Sequence, residues 1–297
     1  MTLAHFSDIH VTHFAFEGKT TLKTFAAIAI YGLAGRPLHF HDSQARTTKL
    51  LEDLDAIGVD HAVCTGDLTG VASEAEFEHV ARLFGPRLKQ PARFTVIPGN
   101  HDRYVPHAAG LFERRFAEVS EGGKFPFVKH LADGVSLVAI DVSRPDNLID
   151  SSGLCGEAQR NAVLGILTDA SLRGRFVVLA LHYALLREDG KRDSVMHRLR
   201  DDLELIDLID RDDVNLDLVL HGHLHRPFLS KTRQRTLVCA GSATDLYQPA
   251  CGYNVYEIDA SAHCAGLRRH VWNRTEQRYE AAPQLNRQLH TGAQLTR

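Results

Sequence analysis

The sequence predicts an α/β protein built on parallel strands with crossover helices. Three observations carry this reading. Between residues 2 and 97 short apolar runs alternate with amphipathic stretches in the order strand, helix, strand, helix, strand. Five apolar runs along the chain end in Asp, Asn or His, as strands do when their carboxyl ends line a ligand crevice. After residue 226 the pattern turns to strands alone.

Residues 2–6 read as a first buried strand ending at Ser7-Asp8-Ile9-His10. The long segment 11–40 follows, with a short apolar helix at its centre, TLKTFAAIAIYGLAG, that would act as a cap. His39 and His41 just beyond it read as surface or supporting histidines. A helix over 42–57 would be capped by Asp42 or Ser43, with Leu50, Leu51, Leu54 and Ile57 on one face. The second strand, 60–65, runs into Gly66-Asp67-Leu68-Thr69-Gly70. Ser73 and Glu76 form a capping-box pattern that opens the next helix, which stops at Gly85-Pro86. The third strand, 93–97, breaks at Pro98-Gly99 and delivers Asn100, His101 and Asp102 to one sharp turn. A helix is expected over 108–119, then adjacent strands 125–130 and 135–141 around Asp133-Gly134, and a turn and helix over 153–167. A buried strand 176–181 ends at His182, a helix is expected over 195–209, and strand 216–220 ends at His221-Gly222-His223-Leu224-His225.

With no repeat, low-complexity tract or linker, residues 1–272 read as one domain, with 11–40 as an inserted cap-like segment and 273–297 as a loosely held polar tail. Of the 297 residues 44% are hydrophobic and 24% charged, as in an ordinary globular protein. A net charge of -3 and the lack of a basic, aromatic-interleaved tract argue against a nucleic-acid or membrane-surface binder. No apolar stretch approaches the ~20 residues needed to span a bilayer, and the strand-like LAHFSDIH at the start lacks the pattern of a signal peptide. The five cysteines, an odd number without a CxxC pair, read as reduced structural thiols of a cytoplasmic protein.

Seven residues at strand ends can bind metal: Asp8, His10, Asp67, Asn100, His182, His223 and His225. In an extended segment i and i+2 point the same way, so Asp8 pairs with His10 and His223 with His225. Mixed His, Asp and Asn ligation suits Mn, Fe or Zn rather than Ca or Mg alone. Seven ligands are too many for one tetrahedral zinc with an open position. They fit two divalent ions sharing Asp67 and a hydroxide. Such a site keeps a net positive charge and attracts an anion, phosphate above all.

These blocks resemble the calcineurin-like metallophosphoesterase superfamily: Asp8-Ile9-His10, Gly66-Asp67, Gly99-Asn100-His101-Asp102, His182 and Gly222-His223-Leu224-His225, all present and in order. The resemblance implies a four-layer αββα sandwich of two facing sheets. It implies one ion on Asp8, His10, Asp67 and His225, and a second on Asp67, Asn100, His182 and His223. His101 would then contact the phosphate and protonate the leaving oxygen, with Asp102 bonded to its other ring nitrogen. The pattern is closest to bacterial-type cyclic-nucleotide phosphodiesterases, with a strand ending in Asp141 and a Gly…Gln stretch before a helix, although segment 11–40 departs from the simplest members. The expectation is a phosphodiesterase acting on a small phosphate ester, a cyclic nucleotide first, by in-line attack of a metal-bridging hydroxide. The alternatives are a phosphomonoesterase, another nucleotide or lipid-head-group diesterase, a nuclease, or a non-catalytic binding module. The oligomeric state, a homo-oligomer included, is open.

Overall fold

The computed structural model describes residues 1–12, 36–103, 108–145 and 150–290. In chain order these form β1 (Thr2–Phe6), α1 (Arg36–His39), α2 (Ser43–Ile57), β2 (His61–Cys64), α3 (Glu74–Phe84), β3 (Phe94–Val96), α4 (Asn100–Arg103) and α5 (Leu111–Phe116). They continue as β4 (Phe127–His130), β5 (Val135–Ala139), α6 (Glu157–Leu167), β6 (Phe176–Ala180), α7 (Asp202–Ile209), β7 (Leu218–His221), β8 (Phe228–Lys231) and β9 (Thr236–Cys239). The last four are β10 (Gly252–Asp259), β11 (Cys264–Asn273), β12 (Arg278–Ala281) and β13 (Arg287–His290).

Two mixed sheets result. One runs β12-β11-β10-β1-β2-β3, with β13 also on β11; the other runs β4-β5-β6-β7-β9-β8. β1, β2 and β3 are parallel, as are β5, β6, β7 and β9. The period-2 alternation of side chains explains the layering. In β6, Phe176, Val178 and Ala180 join Leu3, Val63, Leu137 and Leu218 in a core between the sheets. Val177 and Leu179 of the same strand face the other way, onto Val163 and Leu167 of α6 and Leu205 of α7. On the far side Ala4 and Phe6 of β1 pack with Leu50 and Leu54 of α2 and Phe77 and Val80 of α3. Three apolar layers between four layers of secondary structure make the expected αββα sandwich.

Local chemistry sets the elements near the strand ends. Ser73 and Glu76 close a full capping box on α3. The buried Glu76 also accepts N–H bonds from Gly70 (3.3 Å) and Val71 (3.2 Å), which ties down the loop after Asp67. Asp133 and Gly134 both take positive φ, the turn that joins β4 to β5.

Several expectations are corrected. Asp42 makes no capping bond to α2, and Ser43 donates instead to the His10 carbonyl (3.2 Å). The helix expected over 195–209 starts only at Asp202. Residues 195–200 form a turn and a single bridge from Leu199 to Gly153, with bonds from Gly153 N–H to Arg198 O (3.1 Å) and from Arg200 N–H to Gly153 O (2.9 Å), which remove those groups from a helix. The polar residues expected as a loose tail contain β12 and β13, both paired with β11. Polar alternation there reflects strands with one exposed face rather than a missing structure. The expected cap helix lies outside the described residues. All five cysteines are free thiols. Among the described residues no helix is long and apolar enough to cross a membrane.

Candidate metal centre

Five parallel strands end at one crevice. β1 delivers Asp8 and His10, β2 delivers Asp67, β3 leads to Asn100, β6 to His182, and β7 to His223 and His225. The loops after β1 and β2 keep pairing beyond their strands, with Asp8 N–H on Gly66 O (2.9 Å) and His10 N–H on Asp67 O (3.0 Å).

These ligand segments are not extended. Asp8 (φ 54), His10 (φ 39), Asp67 (φ 54), His223 (φ 73) and His225 (φ 55) all adopt left-handed backbone. Period-2 alternation therefore does not bring the pairs together; successive tight turns do. Each such residue costs on the order of 1 kcal/mol or more, and strain of this kind collects at functional sites. Two glycines are required by close approach. A Cβ at Gly99 would collide with the Asp67 carboxylate, and one at Gly222 with the Ser7 hydroxyl and the Asp8 carboxylate.

The histidines are all held from behind by acceptors. His10 Nδ1 faces Thr69 O (3.2 Å), His182 Nδ1 faces Thr65 O (2.7 Å), His223 Nε2 faces His197 O (2.8 Å), and His225 Nδ1 faces an Asp245 carboxylate oxygen (3.2 Å). A carbonyl or carboxylate only accepts, so each of these nitrogens carries the proton. When the ring is neutral, as a metal ligand must be, its other nitrogen presents a lone pair. Those lone pairs converge. His10 Nε2 lies 3.1 Å from His225 Nε2, while His182 Nε2 and His223 Nδ1 each lie 3.0 Å from Asn100 Oδ1.

Asp67 stands between the two groups. One oxygen is 3.5 Å from His10 Nε2 and the other 3.4 Å from His182 Nε2. Asp8 Oδ1 is buried and accepts no hydrogen bond among the described residues, although His225 Nε2 is 3.4 Å away. Asp8, His10, Asp67 and His225 bring one ligand atom each within 4.8 Å of one another. An orphaned carboxylate oxygen among converging imidazole nitrogens is a donor set that fits a metal ion.

The electrostatics agree. Burial works to raise Asp67, but His182, His101 and His10 hold its carboxyl well below the usual range. Burial lowers His182, yet the Asp67 carboxylate outweighs it and pushes the imidazole up to about 9. A metal bound here takes the place of a proton on His182, so its binding would release that proton. His223 goes the other way, lowered by burial and by His182.

The roles expected at Asn100-His101-Asp102 divide differently. His101 Nδ1 donates to Gly70 O (2.7 Å), not to Asp102. Asp102, fully buried, accepts N–H bonds from Leu68 (3.0 Å), Thr69 (3.0 Å) and Gly99 (2.9 Å) and the Thr69 hydroxyl (3.0 Å). It clamps the Gly66-Asp67 loop to the turn after β3 instead of orienting the imidazole. Burial and neighbouring Asp67 push Asp102 up to about 7. Arg103, just after the Gly99–Asp102 motif, pairs with Glu113 (2.6 Å) and Asp141 (2.8 Å).

Sequence reasoning missed the groups behind the ligands. Asp245 takes His225 on one oxygen and His39 on the other (3.2 Å each). Ser242 donates to Asp8 O (2.6 Å) and Thr244 to Ile9 O (2.8 Å). All three follow β9, which runs parallel to β7, so its carboxyl end opens on the same crevice. The apolar run TLVCAG ending in SATD was the available signal.

Facing mixed sheets with candidate metal ligands converging at their parallel strand ends are an arrangement suited to metal-dependent hydrolysis of phosphate esters. The chain belongs to the calcineurin-like phosphoesterase family, whose model matches residues 1–227. No curated protein matches it by sequence. Among solved structures it is similar to a dimetal phosphatase from Danio rerio (11% identity, 97% of this chain and 98% of that one, TM-score 0.66). It is also similar to GAP50, the anchor in the inner membrane complex of Plasmodium (13% identity, 100% and 90% covered, TM-score 0.59). At these identities both likenesses concern the fold.

Proposed function

We propose that the protein is a dinuclear metal phosphodiesterase of the cytoplasm that hydrolyses a cyclic nucleotide. The observation that carries the metal reading is the set of four histidines whose lone pairs meet at Asp8, Asp67 and Asn100. Asp8, His10, Asp67 and His225 would hold one ion and Asp67, Asn100, His182 and His223 the other. Manganese or iron, or else zinc, suits these donors. When bound, two such ions acidify a water and draw charge from the phosphoryl oxygens.

The chain's own groups supply the rest. His101 keeps its Nδ1 proton on the Gly70 carbonyl, so Nε2 is the atom that holds and hands over the proton to the departing oxygen. The same carbonyl steadies the charged ring. Diester preference is supported by Arg103, whose guanidinium is committed to Glu113 and Asp141 and does not serve a phosphate dianion. Free thiols fit the reducing cytoplasm.

The test is turnover of the manganese-loaded protein on bis(p-nitrophenyl) phosphate, p-nitrophenyl phosphate and 3′,5′-cyclic AMP. The expected result is kcat/KM at least about tenfold higher for the diesters. A monoester preferred over both diesters overturns the diesterase assignment. No turnover of any ester, unchanged by His101→Ala, overturns the enzyme reading.

A further inference from the structure

A cavity of about 400 Å³ lies between β8 and β9 of one sheet and β10 and β11 of the other. Its volume is that of a small-molecule site, and none of the candidate metal ligands lines it. The walls are apolar, with Phe228, Val238, Leu267 and Leu285, while Glu188 and Arg287 bring opposite charges. Arg269 also lines it and is 2% exposed.

Arg269 makes no ion pair among the described residues. Its partners are neutral: Nη1 donates to Ala240 O (2.6 Å) and Asn254 Oδ1 (2.9 Å), and Nη2 to Ala250 O (2.5 Å). Nε is buried without a hydrogen-bond partner. Of five N–H donors three are used, and Nε–H and one Nη2–H make no hydrogen bond among the described residues, so a carboxylate's entry would require the guanidinium to turn toward the cavity it lines. Burial pulls the guanidinium down to about 10, and the groups that oppose this are thiols and phenols rather than a carboxylate. A buried cation without a counter-charge is costly, and an anion brought into the same space offsets that cost.

We propose that this cavity is a second ligand site, which takes a small organic carboxylate with an apolar body. The carboxylate would sit on Arg269 and the body against Phe228, Leu267 and Leu285.

The experiment is calorimetric titration of the metal-loaded full chain with hexanoate, with 1-hexanol and hexylamine as isosteric controls. Hexanoate is expected to bind about tenfold more tightly than hexanol, the worth of a charge-assisted hydrogen-bond pair. Arg269→Gln would lose this binding, but Arg269 also ties three segments together. Leu285→Trp fills the cavity while leaving those bonds intact, and it is expected to abolish hexanoate binding with the fold retained. Hexanoate binding unchanged in Leu285→Trp would place the anion at the metal centre and overturn the proposal. Equal binding of hexanoate and hexanol, or no hexanoate binding at about 10 mM, would overturn it as well.

Discussion

His10 and His225, 215 residues apart in sequence, turn their Nε2 atoms to each other at 3.1 Å. Each ring gives its Nδ1 proton to an acceptor behind it, Thr69 O for His10 and Asp245 for His225. Two lone pairs at this distance repel unless positive charge lies with them, and buried Asp8 and Asp67 add two carboxylates beside them. The second group around Asn100 repeats the arrangement with different residues.

If Asp245 fixes the His225 tautomer, Asp245→Ala should weaken metal binding about 10–100-fold. Manganese titration measures this directly, and excess manganese should restore turnover. Activity lost with metal affinity unchanged would rule the role out.

Asn100 and His101 are adjacent but should separate in experiment. Asn100→Ala is expected to reduce metal content, since Asn100 Oδ1 sits between His182 and His223. His101→Ala should keep the metals and lower kcat about 10²–10⁴-fold, most for poor leaving groups. Elemental analysis beside kinetics on a leaving-group series checks both, and an emptied metal site in His101→Ala would refute the division.

Asp102 should behave as a clamp. Asp102→Ala leaves the Leu68, Thr69 and Gly99 N–H groups without their acceptor, with an expected loss of about 3 kcal/mol or more in stability. Denaturant unfolding measures the loss. An unchanged midpoint with a shifted kcat–pH profile would instead return Asp102 to the role of orienting His101.

His61 gives a pH prediction remote from the metal ligands. It is fully buried, bonded to Ala92 O (2.9 Å) and the Thr95 hydroxyl (2.9 Å), and burial lowers it to about 4. The folded state prefers the neutral ring, so its contribution is present above the unfolded value near 6.5 and is lost as pH falls toward 4. The expected loss over that window is about 3 kcal/mol. His61→Asn keeps a donor for Ala92 but does not titrate, so its stability should fall less between pH 6.5 and pH 4. Parallel stability curves for the two proteins would refute this.

Sequence alone determined the α/β class, the succession of strands from β1 to β11, and the seven strand-end residues that gather at the crevice. These are local properties: apolar runs that must be buried, breakers that stop them, and polar residues placed where parallel strands end. Tertiary structure decided the rest. It assigned Asp102 to Leu68 and Gly99, brought in Asp245 from beyond β9, put five candidate ligands in left-handed backbone, and drew 196–200 and the C-terminal strands into pairings. Each of these depends on which distant donor or acceptor lies closest once the sheets face each other. A hydrogen bond across many residues of chain leaves no periodicity in the sequence, so only the folded geometry reveals it.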